Sequence, residues 1–189
     1  MVRYYGIGAY SNKLVLDILT LLNKNAKFWI EKLKLQKHPE GGYFTSTYVS
    51  DKKIDLPDYD GFRSTCTSIY YLLAGNQFAS FHTIKSDEIW HFYSGSSLTL
   101  HLIYSNGEMK QILVGPNFDK GERFQVTIKS GCWFAATIND KKSYSLVGCT
   151  VSPGFDYRDW KMGDRKTLLA QYPQYERLIK KYTAHNSSG

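Results

Sequence analysis

Hydrophobic positions along the chain change period twice. Leu14, Ile18, Leu21 and Leu22 recur at helical spacing behind Ser11, whose hydroxyl suits the N-cap of a first turn. After Lys24-Asn25 the helical pattern resumes over Ala26 to Leu35 with Phe28, Trp29, Ile30 and Leu33. This predicts two short helices or one kinked helix. His38-Pro39-Glu40-Gly41-Gly42 ends the region, because Pro and paired Gly break helix. From Tyr43 the period falls to two. Tyr43 to Val49, Cys66 to Leu73, Phe78 to Ile84, Glu88 to Tyr93, Leu98 to Tyr104, Met109 to Val114, Arg123 to Ile128, Trp133 to Ile138 and Tyr144 to Val151 read as strands rich in Thr, Tyr, Ile, Val and Phe. Turns separate them, with Asn106-Gly107 the strongest hairpin signal. Asp51 to Gly61 reads as a long polar loop. Past Pro153-Gly154 the helical period returns over Arg165 to Gln171 and Pro173 to Tyr182, with Pro173 suited to a first helical turn. The pattern predicts an all-β core, an antiparallel sandwich or barrel, flanked by short helices at both ends.

Composition fits that picture. A chain of 189 residues that is 42% hydrophobic can bury one full core. The absence of an internal repeat or long linker leaves one main domain over residues 37–183, a helical extension at 1–36 and a tail at 184–189. The tail's His185 is set aside from site reasoning. The net charge of +7 comes from Lys and Arg spread along the chain, so it describes a solvated surface and gives no footprint for a nucleic acid polymer. The apolar run Leu14 to Leu22 is short and contains Asp17, so no membrane span or signal peptide is expected. Three scattered cysteines, Cys66, Cys132 and Cys149, without a C-x-x-C pair, suggest a reduced, cytoplasmic protein.

The chemistry concentrates in Phe81 to Gly95, FHTIKSDEIWHFYSG. Residues two apart in a strand share a face, so Glu88, Trp90 and Phe92 are expected on one side and Ile89, His91 and Tyr93 on the other. His82, from the preceding strand, is expected to meet that segment across a hairpin. A carboxylate among strand aromatics is costly to bury without a partner, which singles out Glu88. His82 and Glu88 are therefore the candidate catalytic pair. Arg63, Tyr71, His82, Glu88, Trp90, Phe92, Trp133 and Phe134 are the candidate ligand-binding residues. Two metal-ligating types stand out, and no spacing selects a third among His38, His101 and Glu122, so no metal and no cofactor is expected. His38-Pro39-Glu40-Gly41-Gly42-Tyr43 forms a second cluster. Its glycines suit a helix-to-strand turn, which leaves the His and Glu unexplained.

These segments resemble the cupin superfamily. His82, Glu88 and Gly95 fall on the first histidine, the glutamate and the closing glycine of its first motif, while Ile84 stands at the second histidine position. Gly131 keeps the glycine of its second motif, with Lys129 in place of the proline and Phe134 in place of the metal-binding histidine. HPEGGY at 38–43, SDEIWHFYSG at 86–95, LVGP at 113–116 and YSLVGCTVSPGF at 144–155 resemble more closely one cupin subfamily of unknown function, over roughly residues 35–182. The resemblance implies a jelly-roll β-barrel, a homodimer and a pocket in the barrel mouth. It also implies a likeness to metal-independent epimerases of the dTDP-4-dehydrorhamnose type, with a His base and a Tyr acid. Three functions follow as expectations. The first is binding of a nucleotide- or sugar-like small molecule, the second isomerisation with His82 as base, and the third a metal enzyme with substituted ligands.

Overall fold

The structure is a computed structural model and describes residues 24–183. The helix expected around Leu14 to Leu22 and the tail at 184–189 lie outside the described residues. Helix α1 (Ala26–Lys32) is capped by Asn25, whose side chain accepts from Phe28 N. It is followed by β1 (Gln36–Lys37), β2 (Tyr43–Val49), β3 (Lys53–Ile54), β4 (Arg63–Ser64), β5 (Thr67–Ala74), β6 (Phe78–Ile84) and β7 (Asp87–Gly95). The chain continues through β8 (Leu98–Ile103), β9 (Met109–Val114), β10 (Gln125–Ile128), β11 (Trp133–Ile138), β12 (Tyr144–Ser152) and β13 (Trp160–Met162). Helices α2 (Arg165–Gln171) and α3 (Glu176–Tyr182) close it.

Among the described residues the long strands form two antiparallel sheets, in the orders β1-β2-β5-β12-β7-β10 and β13-β6-β11-β8-β9. The expected jelly roll is present. Its sheets face each other and do not join into one continuous hydrogen-bonded barrel. Strands β1, β3, β4 and β13 are too short to show a period of two, so their sequences read as loop. The polar loop at 51–61 contains β3.

Three apolar layers stack on this frame. Leu73, Leu98, Leu100, Leu102, Val114, Ile128, Ala136 and Val147 fill the space between the sheets at one end. Helices α2 and α3 cover the outer face of the second sheet through Leu168 and Ile179, against Phe81, Ile103 and Ala135. Helix α1 covers part of the outer face of the first sheet, where Trp29, Ile30 and Leu33 pack near Leu72, Tyr144 and Leu146. The Trp29 indole also donates to Tyr144 Oη at 2.9 Å.

Strand β6 does not pair with β7. Lys85 and Ser86 carry the chain from the second sheet to the first, so the expected hairpin is absent and His82 faces Glu88 across the sandwich. The turn at 38–42 is pinned between the same two layers. Ser80 N donates to Glu40 O at 2.9 Å, and Tyr71 Oη donates to Gly41 O at 2.7 Å. Gly41 sits at φ +115°, and a Cβ there would lie 2.2 Å from Phe78 O, a backbone atom that cannot swing aside.

Gly41→Ala is therefore expected to cost about 2–4 kcal/mol, which lowers Tm by roughly 5 °C or more in a domain of this size. Thermal unfolding against the parent checks it. An unchanged Tm would show that the turn is not held as described.

Candidate functional site

At the end of the sandwich opposite the Leu/Val-filled core, the two sheets enclose a cavity of about 180 Å³. Strands of the first sheet contribute Phe44, Ser46, Thr67, Ile69, Tyr71, Glu88, Trp90, Cys149 and Val151. The second sheet contributes His82 and Ile84. The turn at 38–42 adds His38 and Glu40, while Val49, Phe155 and Tyr157 stand at the mouth, with Val49 and Tyr157 more than half exposed. The alternation read from the sequence places Glu88 and Trp90 inward together.

The side chain that organises the site is Glu40. Its Oε1 accepts from the indole N–H of Trp160 on β13. Its Oε2 lies 3.2 Å from His82 Nε2 and 3.6 Å from His38 Nδ1. His82 Nδ1 lies 2.7 Å from the carbonyl of Ser80. A carbonyl only accepts, so Nδ1 carries the proton. Burial pushes His82 down to about 3, which leaves the ring neutral and its Nε2 lone pair turned to Glu40. Burial, with Glu88 nearby, holds Glu40 well above the usual carboxylate range. The contact is thus a hydrogen bond from a neutral acid to a neutral imidazole, because separated charges are disfavoured where both groups leave water. His38 is neutral for the same reason, pushed down by burial to about 4. Its Nδ1 accepts from Glu40 N at 3.3 Å, which leaves an Nε2–H with no partner among the described residues.

Glu88 is different. It is 8% exposed and makes neither an ion pair nor a full hydrogen bond among the described residues. Burial pushes it up to about 7; the Trp90 N–H and the Cys149 thiol stand close enough to counter this in part. The Trp90 N–H is itself buried without a hydrogen-bond partner. Rings line the base in sequence. His38 meets Tyr71 at 5.6 Å between centroids, Tyr71 meets Trp90 at 5.6 Å, Trp90 meets Phe134 at 6.4 Å and Phe134 meets His82 at 3.9 Å.

Of the residues expected from sequence, His82, Glu88, Tyr71 and Trp90 line the cavity. Phe134 lies behind His82, and Phe92 packs into the core between the sheets. Trp133 packs toward the C-terminal helices on the far side of the second sheet. Arg63 is buried elsewhere. It holds Asp159 in a bidentate pair at 2.6 and 2.9 Å and turns Nη1 to the carbonyls of Asp60, Gly61 and Phe62, which commits its guanidinium away from the cavity. The acidic partner expected beside His82 was Glu88. Glu40 holds that place, and Asp87 instead accepts from Lys129 Nζ and Ser130 N at the surface. Glu40 and His38 were the functional residues missed. The signal was the unexplained polar pair in HPEGG.

The donor set does not fit the metal that the cupin motifs describe. Ile84 and Phe134 put carbon at two ligand positions, and His82 Nε2 is committed to Glu40. His101 is stacked on Tyr182 and bonded to Thr137, while Glu122 accepts from Asn117 N, both away from the cavity. Among the described residues no group of three or more His, Cys, Asp or Glu is placed to hold a metal ion. The three cysteines are free. No described helix is long and apolar enough to cross a membrane.

Residues 27–163 match the sequence model of the family described as Cupin superfamily (DUF985). The chain is similar to a solved structure of a hypothetical protein from Leishmania major, with 34% identity and a TM-score of 0.81 over 86% of this chain and 100% of the other. It is similar to protein SO0799 from Shewanella oneidensis, with 37% identity and a TM-score of 0.79 over 85% of this chain and 98% of the other. It is also 29% identical to the uncharacterized protein YML079W of Saccharomyces cerevisiae over 143 residues, 69% of this chain and 71% of that protein.

A carboxyl raised from its ordinary 4.5 to about 7 stabilises the fold below the unfolded value and loses that contribution as pH rises through the folded one. Glu88→Gln cannot titrate. Between pH 5 and pH 8 the wild type is expected to lose about 2 kcal/mol relative to the variant, at roughly 1.4 kcal/mol per pKa unit. Denaturant unfolding at both pH values checks this, and parallel pH curves would contradict it.

Proposed function

Because the chain belongs to the cupin superfamily, in the family described as DUF985, we propose that it is a small-molecule-binding protein that holds a ring-sized, non-anionic ligand in the mouth of its jelly roll. The observation that carries the reading is the cavity's chemistry. Its walls are aromatic and aliphatic, it is lined by the unpaired Trp90 N–H and by a Glu88 carboxyl that has no ion pair among the described residues, and no Lys or Arg lines it. An apolar pocket with a few convergent polar groups is the usual form of a ligand site. Unpaired buried polar groups cost stability, and a ligand that pairs them recovers it.

Size narrows the class. A dry cavity of roughly 150 Å³ holds a benzene molecule, so about 180 Å³ accepts one six-membered ring with a small substituent. Charge narrows it further. A phosphate inside would meet Glu40 and Glu88 and no cation, since Arg63 is committed to Asp159, and Arg158 to Asp156 and the Asp60 carbonyl. A nucleotide- or sugar-like ligand therefore enters by its base or its sugar ring, with any phosphate kept outside.

A second reading, metal-free proton transfer, draws on one observation. Glu88 changes charge near pH 7, where a general acid or base works best. In that reading Glu88 moves the proton. His82 is a poor base because its Nε2 faces Glu40 and its pKa lies near 3.

Native mass spectrometry of the protein purified from its own source tests the binding reading. One small organic molecule per chain is expected, and Trp90→Phe should weaken its rebinding about fivefold, the worth of one hydrogen bond. A protein that carries nothing and binds no member of a library of single-ring compounds would contradict it.

A further inference from the structure

We propose that the ligand this cavity is built for is an organic cation, a small ammonium compound whose charge sits against Glu88 inside the aromatic walls. The inference rests on the ligand-binding reading above and names the class of molecule.

Glu88 is a carboxyl nine-tenths buried at the cavity wall, without an ion pair or a full hydrogen bond among the described residues. Buried carboxylates elsewhere in this chain are served. Asp159 takes two N–H groups of Arg63, and Glu40 takes the Trp160 N–H and lies beside His82. Glu88 alone is left facing open volume. The Trp90 N–H and the Cys149 thiol offer it only uncharged, partial pairing, and no Lys or Arg lines the cavity to supply a positive charge.

The walls have the complementary property. Phe44, Tyr71, Trp90, Phe155 and Tyr157 line the volume beside Glu88. Aromatic faces carry negative potential and attract ammonium groups, most strongly in sites that exclude water. An anionic ligand meets repulsion from an ionised Glu88 and finds no Lys or Arg in the lining. A neutral donor can pair with Glu88 but brings no charge to balance a buried carboxylate. A cation gains from the carboxylate and from the rings at once, and it leaves the Trp90 N–H free to meet an acceptor atom on the same molecule. The apolar mouth at Val49, Phe155 and Tyr157 admits a weakly hydrated organic ammonium more readily than a hydrated inorganic ion.

Three probes of one size separate the possibilities: benzylammonium, benzyl alcohol and benzoate, titrated into the full chain by calorimetry at pH 7.5 and moderate salt. Benzylammonium is expected to bind about ten- to a hundredfold more tightly than benzyl alcohol, the gain of a charge-assisted contact in a dry site. Benzoate is expected not to bind. Glu88→Gln, which keeps the shape of the side chain, should abolish the preference while benzyl alcohol still binds. Equal binding of benzylammonium and benzyl alcohol, or a preference that survives Glu88→Gln, would overturn the cation and leave small-molecule binding standing. Failure of all three probes to bind would overturn both.

Discussion

Glu40 ties the turn at 38–42 to two strands of the second sheet at the mouth of the jelly roll. Its carboxyl receives the indole of Trp160 from the edge of the second sheet, meets His82 in the interior of that sheet, and rises from a turn fastened to Tyr71 of the first sheet. The two sheets part at this end of the sandwich, so the opening has no hydrophobic filling to hold its width. A polar contact network sets it in place of packing. The network is stable only if its charges are quenched, since burial penalises both an imidazolium and a carboxylate at this depth. One proton held by Glu40 and directed at His82 satisfies both groups and leaves the histidine neutral.

That arrangement separates two roles that adjacent acids often share. Glu40 is consumed by structure. Glu88, on β7 of the first sheet and across the sandwich from His82, makes no ion pair among the described residues and lines the cavity. Phe134 packs on His82 with ring centroids 3.9 Å apart and puts carbon where the second cupin motif has a histidine. Ile84 lines the wall with carbon where a second nitrogen would stand. The fold positions that carry metal ligands in the cupin motifs here border a largely apolar pocket, with Glu88 the carboxyl left outside the Glu40–His82 contact. Under the proposed binding role, such a pocket suits ligands that bring a donor or a positive charge.

Much of the frame was legible because strands of six to nine residues carry their own signature. Phe78–Ile84, Met109–Val114 and Trp133–Ile138 fall where the period of two places them. Two- and three-residue strands such as β13 carry no period, and β13 supplies Trp160, so a principal partner of Glu40 was invisible. The inward face of Glu88 and Trp90 followed from alternation alone. The relation of His82 to Glu88 did not, because a two-residue connection can close a hairpin or cross between sheets, and only the pairing of each strand with distant ones decides. Arg63 was expected among the ligand-binding residues. Its guanidinium is instead held by Asp159 and three carbonyls, contacts set by loops whose course no local pattern encodes. HPEGG held the strongest unread signal. Its glycines announced a close turn, and the side chain between Pro39 and Gly41 is the one that the turn exists to deliver.

The neutral Glu40–His82 contact is the claim on which the cavity's charge balance rests, and nitrogen NMR of histidine-labelled protein reads it directly. His82 is expected to show a protonated Nδ1 and an unprotonated, hydrogen-bonded Nε2 from pH 5 to pH 8. Protonation of both nitrogens in that range would reveal an imidazolium–carboxylate pair and contradict the account.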